Sequence, residues 1–324
     1  MKARLPEHPG IIFMGTPDFA APSLKSLIDA GHNIRAVVTQ PDRPKGRGRN
    51  ITASPVKQLA LKHEISILQP EKVSDPGFMA RIKEMAPDLI IVVAFGQILK
   101  KALLEMPGWG VINIHASLLP RYRGAAPIQR VILNNETSTG LTIMRMDEGL
   151  DTGPILFQKE VPVLRDETAG QLHDRLAAMS GDFLLDFLRE MAGNQIRATV
   201  QDSTLATYAA KIDKEMSRIE WRHDATEISA LIRGLDPFPG AFTEIGDNNI
   251  KLYSSSVLDE TFAGTAPGRV LGNVEGILAV ETGRGIIGVK ELQYPGKKRL
   301  HAKDFLMGFR LPEGTILGKQ KGLI

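Results

Sequence analysis

Short apolar runs alternate with helical patterns along the first part of the chain. Residues 11–14 (Ile11-Ile12-Phe13-Met14) read as a strand, 18–30 as a helix closed by Gly31, and 34–39 as a strand, which makes one βαβ unit. The unit recurs. Ser54 and Pro55 supply a helix cap and first helical position, 65–68 a strand, 75–85 a helix, and 88–94 an apolar central strand. Such alternation predicts an α/β, Rossmann-like domain: a parallel-rich twisted sheet wrapped by helices, with ligands bound beyond the carboxyl ends of the strands. A strand at 110–114, a helix at 126–133, strands at 139–144 and 155–163, and a helix at 168–191 extend it.

The pattern breaks at Ala192-Gly193-Asn194-Gln195. The expected organisation is a first domain over 1–192, a linker over 193–207 and a second domain over 208–324. In the second domain a helix at 225–234 and the turn-rich Asp236-Pro237-Phe238-Pro239-Gly240 precede strands at 241–245, 250–257, 268–271, 276–281 and 285–292. Short alternating strands of this kind predict a small β-barrel of the oligonucleotide-binding (OB) type.

Composition narrows the chemistry. A chain of 324 residues exceeds what one core usually fills, and 43% hydrophobic with 24% charged residues is ordinary for a globular protein. The absence of cysteine excludes thiol nucleophiles, thiolate zinc sites, iron–sulfur clusters and disulfides, and fits a reducing compartment. The longest apolar run, 89–95, has seven residues against the roughly 20 of a membrane-spanning helix. Met1-Lys2-Ala3-Arg4-Leu5-Pro6 carries no apolar signal core, so a cytoplasmic protein with no membrane partner is expected. The net charge of +3 is modest, but its distribution is uneven. Residues 43–49 hold four cations and no acid, and 288–324 hold eight Lys or Arg against Glu291, Asp304 and Glu313. Both patches suit a polyanion, or a solvated surface.

Three segments could carry chemistry. Gly15-Thr16-Pro17 stands where a nucleotide fold places its phosphate loop, but it is not G-x-G-x-x-G and Pro17 lacks an amide donor; it reads as a tight turn or a shaper of the cleft, and NAD is disfavoured. Asn113 and His115, at i and i+2 of a strand, point to the same side. An amide donor beside an imidazole suits a developing oxyanion and a departing proton, although a single His near a strand end is more often structural. Asp147 and Asp151 share a glycine-flanked acidic loop, which is either a solvated turn or a flap over a cleft, with either Asp as the useful one.

Longer motifs add to this. Asn113-Ile114-His115 followed by Ser117-Leu118-Leu119-Pro120, with Leu150-Asp151-Thr152-Gly153 downstream, resembles the signature of the folate-dependent formyltransferases. The resemblance runs nearly end to end, through Phe13-Met14-Gly15-Thr16-Pro17-Asp18-Phe19-Ala20, Gln40-Pro41-Asp42-Arg43-Pro44, Ser54-Pro55-Val56-Lys57 and Arg121-Tyr122-Arg123-Gly124-Ala125-Ala126-Pro127. Tyr122 stands where many members carry Trp, and Phe95 where Tyr is frequent.

This resemblance implies a monomeric enzyme without a metal. Its formyl donor is 10-formyltetrahydrofolate, and its acceptor is the α-amine of methionine on initiator tRNA. It implies Asn113, His115 and Asp151 as catalytic residues, and a pterin slot from Val92, Phe95, Gly96, Ile98, Leu99, Ser117, Leu118, Leu119 and Pro120. It makes 43–49 a mobile loop that brings Arg43, Lys45, Arg47 and Arg49 to the acceptor stem, with Lys297, Lys298 and Arg299 holding the tRNA backbone from the second domain. The rival readings are a formyltransferase or formyl-folate hydrolase for a small molecule, such as an amino-sugar nucleotide or glycinamide ribonucleotide, and a noncatalytic RNA-binding protein.

Overall fold

The computed structural model describes residues 8–45, 50–193 and 195–318. The chain divides into two compact units. The first takes the described residues up to Gly124, then Thr139–Val161 and His173–Tyr208; the second takes Ala125–Ser138, Pro162–Leu172 and the described residues from Ala209 on.

The first unit is built on strands β1 (Ile11–Gly15), β2 (Ile34–Val38), β3 (Ile67–Leu68), β4 (Leu89–Val93), β5 (Val111–His115), β6 (Ser138–Arg145) and β7 (Ile155–Pro162), in the order β7-β6-β5-β4-β1-β2-β3. From β3 to β5 neighbours run parallel, and β6 reverses direction against β5. β1 and β4 are buried along their whole length, as continuous apolar strands covered on both faces must be. This is the α/β class expected from the alternating pattern. Helix starts follow the cap chemistry. The Ser54 hydroxyl accepts from Lys57 N at 3.1 Å ahead of Pro55, and Asp75 accepts from Phe78 N at 3.0 Å ahead of Pro76.

The chain differs locally from these expectations at three places. The helix expected over 18–30 is a 3₁₀ turn at Asp18–Ala20 followed by an α-helix at Ala21–Asp29. Pro22 has no N–H and its ring would meet the carbonyl four residues back, so it is accommodated only in a helix's first turn. Segment 43–49 is expected as a loop, yet Arg43–Lys45 pairs antiparallel with Asn50–Thr52, with Arg43 opposite Thr52. Residues 195–207, expected as a linker, are bonded into the first unit, where Thr199 and Ile155 exchange backbone hydrogen bonds of 2.8 Å each.

The second unit carries an entirely antiparallel sheet of β8 (Ala241–Ile245), β9 (Asn248–Asp259), β10 (Val270–Val274), β11 (Ile277–Glu281), β12 (Ile286–Gln293) and β13 (Arg299–His301). Its order is β8-β9-β12-β11-β10, with β13 also on β12. Five of these strands were legible in the alternation. β13 and the helix Ala302–Gly308 lie in the basic run of 288–324, where charge masks their pattern, and Ala302 and Phe305 enter the core with Trp221, Ile232, Leu252, Val280 and Ile287. Among the described residues no helix is long and apolar enough to cross a membrane.

Glu281, with its side chain fully buried, anchors the 265–269 turn of this unit. It accepts from Ala266 N at 2.6 Å, from Arg269 Nε at 2.8 Å and from Thr265 N. Burial pushes its carboxyl up, but these hydrogen bonds and the guanidinium outweigh that and hold it below the usual glutamate range. A depressed folded-state pKa stabilises above the unfolded value of about 4.3, and the benefit is lost as pH falls through the folded value. Glu281→Gln is therefore expected to cost about 2 kcal/mol in urea denaturation at neutral pH, with the gap to the native chain closing under acid.

Candidate active site

The central strands deliver the site. In the sheet register Asn113 lies between Val92 of β4 and Met144 of β6, so it and His115 stand at the carboxyl end of the parallel block. Asn113 is half-buried and His115 is 6% exposed. His115 Nε2 lies 2.9 Å from the Tyr122 carbonyl, which can only accept, so Nε2 carries a hydrogen. This leaves Nδ1 to face Asp151 Oδ2, at 3.7 Å.

Of the two aspartates in the acidic loop, Asp147 is the loop's own fastener. Its Oδ1 accepts from Gly149 N at 3.1 Å and Thr152 Oγ1 at 2.7 Å. Asp151 instead turns inward, where Oδ2 accepts from Gly124 N at 2.8 Å. Its backbone sits in the left-handed region at φ 54°, a conformation the surroundings must enforce. Glycine is required nearby: a Cβ at Gly153 would stand 1.8 Å from the Arg145 carbonyl oxygen.

Loop 117–120 is fastened from β6 and β7. Thr142 Oγ1 donates to Ser117 O at 2.6 Å and accepts from Leu119 N at 3.2 Å, while Gln158 Nε2 donates to Leu119 O at 2.8 Å. Ser117 is fully buried and its hydroxyl donates to Arg121 O at 2.7 Å, so its side chain braces the loop. Leu119 is buried too, whereas Leu118 and Pro120 are half-buried. The other expected slot residues also split. Val92, Phe95 and Leu99 pack into the core with Ile12, Met14 and Ile90, while Ile98 is 87% exposed. Gly96, at φ 84°, has open space where a side chain would stand, so its backbone can be approached closely by a flat ring.

Further polar residues hold these pieces. Thr16 and Gln40 both donate to the Phe95 carbonyl, at 3.4 and 3.1 Å, which ties the Gly15-Thr16-Pro17 turn to the end of the 95–99 segment. Gln97 Oε1 accepts from Val73 N at 3.0 Å. A surface groove of about 700 Å³ lies beyond β3, lined by Gln69, Pro70, Asp75, Phe78 and Arg81 among others; it contains none of Asn113, His115 and Asp151.

The basic residues separate into free and committed. Arg43 is exposed at the start of the hairpin, beside Asp42, which is held by Lys57 Nζ and by Gln69 Nε2 at 2.9 Å. Lys45 lies in the paired strand, and Arg47 and Arg49 lie outside the described residues. In the second unit Lys297 and Lys298 are exposed. Arg299 corrects the expectation of a free phosphate contact. It pairs with Asp236 at 2.7 and 3.0 Å and with Glu291 through Nε at 2.8 Å, and it lies over the Tyr253 ring at 4.2 Å. Two carboxylates already neutralise that guanidinium, and a phosphate would have to displace them.

An amide donor, an imidazole and a carboxylate gathered at the carboxyl end of a parallel block suit the stabilising of developing charge and the movement of a proton, the chemistry of an α/β group-transfer enzyme. Comparison with known proteins gives the particular family. The formyl transferase family model matches residues 10–188 and the formyl transferase C-terminal domain matches 211–310. The chain belongs to the formyltransferase family. It is 47% identical over 308 residues to the methionyl-tRNA formyltransferase of Pelobacter propionicus, covering 95% of this chain and 96% of that one. It is 48% identical over 308 residues to the enzyme of the same name from Geobacter metallireducens, covering 95% and 98%. Its fold is similar to a sugar 3N-formyl transferase solved with dTDP and 5-N-formyl-THF, with a TM-score of 0.67 at 21% identity over 90% of this chain and all of that one.

The loop fastening is testable. Thr142→Val keeps the shape but leaves the Ser117 carbonyl and the Leu119 amide without that hydroxyl, and is expected to cost about 1–3 kcal/mol, read as faster amide hydrogen exchange over 117–121.

Proposed function

We propose that the chain transfers a formyl group from 10-formyltetrahydrofolate to the α-amine of methionine on initiator tRNA. The observation that carries this reading is the set Asn113, His115 and Asp151, held together at the carboxyl end of β5 in a chain that aligns over 95% of its length with methionyl-tRNA formyltransferases.

The neutral amine attacks the formyl carbon and forms the new C–N bond. The bond from that carbon to the folate nitrogen breaks, the amine loses one proton and the folate nitrogen gains one. Asn113 offers an amide N–H to the formyl oxygen as negative charge develops there. His115 is oriented by the Tyr122 carbonyl, and when doubly protonated it presents Nδ1–H toward the same region, with Asp151 balancing its charge. Asp151, directly or through water, takes the amine's proton. The open backbone of Gly96, exposed Ile98 and half-buried Leu118 and Pro120 are the candidates for holding the folate ring, while Val92, Phe95 and Leu99 are packed in the core.

The acceptor's phosphates call for cations outside the catalytic set. Exposed Arg43, at the foot of the basic hairpin, and Lys297 with Lys298 in the second unit are suited to backbone contact, so binding weakens as salt rises.

The deciding assay supplies labelled formyl donor with methionine-charged initiator tRNA, methionine-charged elongator tRNA or an amino-sugar nucleotide. Label on the initiator tRNA supports the reading; label on the sugar alone overturns it. Asn113→Ala is expected to lower turnover by about 100- to 1,000-fold. Arg43→Leu is expected to raise the KM for charged tRNA several-fold while leaving that for the formyl donor unchanged; equal tRNA kinetics would make the hairpin a solvated surface.

A further inference from the structure

We infer that Gln201 is a positioning residue for the transfer reaction, acting through the backbone of the Asp151 loop. The inference rests on Asp151 being catalytic. Gln201 lies 50 residues downstream of that loop and is 7% exposed. Its side chain uses both ends. Oε1 accepts from Arg123 Nε at 3.0 Å and from Arg123 Nη2 at 2.7 Å, and Nε2 donates to the carbonyls of Asp151 at 2.9 Å and Gly153 at 2.7 Å. The partners fix the orientation of the amide, because a guanidinium only donates and a carbonyl only accepts.

The arrangement converges on three consecutive residues. The Tyr122 carbonyl takes His115 Nε2–H, the Arg123 guanidinium holds Gln201, and Gly124 N–H holds Asp151 Oδ2. The turn is itself tied from the Gln201 side, since Thr207 Oγ1 accepts from Tyr122 N at 2.8 Å and Thr207 O accepts from Arg123 N at 2.9 Å. Gln201 therefore closes a ring of hydrogen bonds around the left-handed backbone of Asp151, and that ring sets the 3.7 Å approach of Asp151 to His115. Without it two carbonyls lose their donor, Arg123, 3% exposed, loses this acceptor, and Asp151 is free to leave φ 54°. Displacements of about 1 Å at a reacting group can cost on the order of 100-fold in rate.

The test is a kinetic double-mutant cycle on the full chain, with 10-formyltetrahydrofolate and methionine-charged initiator tRNA and with thermal unfolding measured in parallel. Gln201→Met keeps the shape and removes every hydrogen bond. Gln201→Glu keeps the acceptor for Arg123, removes the donor to the loop, and serves if the Met variant does not fold. Either folded variant is expected to lower kcat by about 10- to 100-fold while changing each KM by less than about threefold. In an Asp151→Asn background, followed by single turnover, the same substitution is expected to add less than about threefold, because the group being positioned is already gone. Native kcat in a folded Gln201 variant, a loss confined to KM, or losses that multiply in the double variant would overturn the inference. A fully active Asp151→Asn chain would instead overturn the catalytic reading of Asp151 beneath it.

Discussion

The hydrogen bond from His115 Nε2 to the Tyr122 carbonyl is the contact on which the site depends. A carbonyl can only accept, so this one contact places the ring hydrogen, turns Nδ1 toward Asp151 and fixes the plane of the imidazole. Loss of that orientation would leave a histidine of unchanged chemistry facing nothing useful. The constraint reaches outward because Tyr122 is itself placed, at φ 62°, by the bonds that Thr207 makes to it and to Arg123.

Around this contact the unit separates two kinds of packing. The apolar strands β1 and β4 supply a rigid floor, since close-packed side chains resist small displacements. The loops above it are held by polar side chains as well as by apolar burial: Thr142 and Gln158 for 117–120, Gln201 for the Asp151 loop, and Thr16 with Gln40 for Phe95. Loop backbone at a strand end has amides and carbonyls that no ladder satisfies, so each buried one needs a specific partner. Those partners also set the direction in which His115 and Asp151 face.

Charge in the second unit follows the same rule. Lys297 and Lys298 face solvent and remain open to a polyanion, whereas Arg299 one position later is drawn into Asp236, Glu291 and the Tyr253 ring, where it holds β13 against β12 and β9. Three adjacent cations in one basic run thus have two different fates: Lys297 and Lys298 lie in the turn before β13, while Arg299 begins that strand and meets the carboxylates beside it.

Local information settled much of this protein. Apolar periodicity marks the strands of both sheets except β13, Ser54-Pro55 marks a helix start, and the i, i+2 spacing of Asn113 and His115 puts them on one strand face, because period and capping act over a few residues. The long motifs carried the family. Tertiary structure decided what depends on distant partners: that Asp151 and not Asp147 turns to His115, that the Ser117 hydroxyl is held by Arg121 O and the Arg299 guanidinium by Asp236, and that Gln201 holds the Asp151 loop. Each of those assignments is a hydrogen bond between groups far apart in the chain, and neither periodicity nor composition encodes which donor will meet which acceptor once the sheet has closed. The same holds for the opening pair: Asn113 and His115 could be picked out in the sequence, but the direction His115 faces was set by Tyr122 and Asp151 in the folded chain.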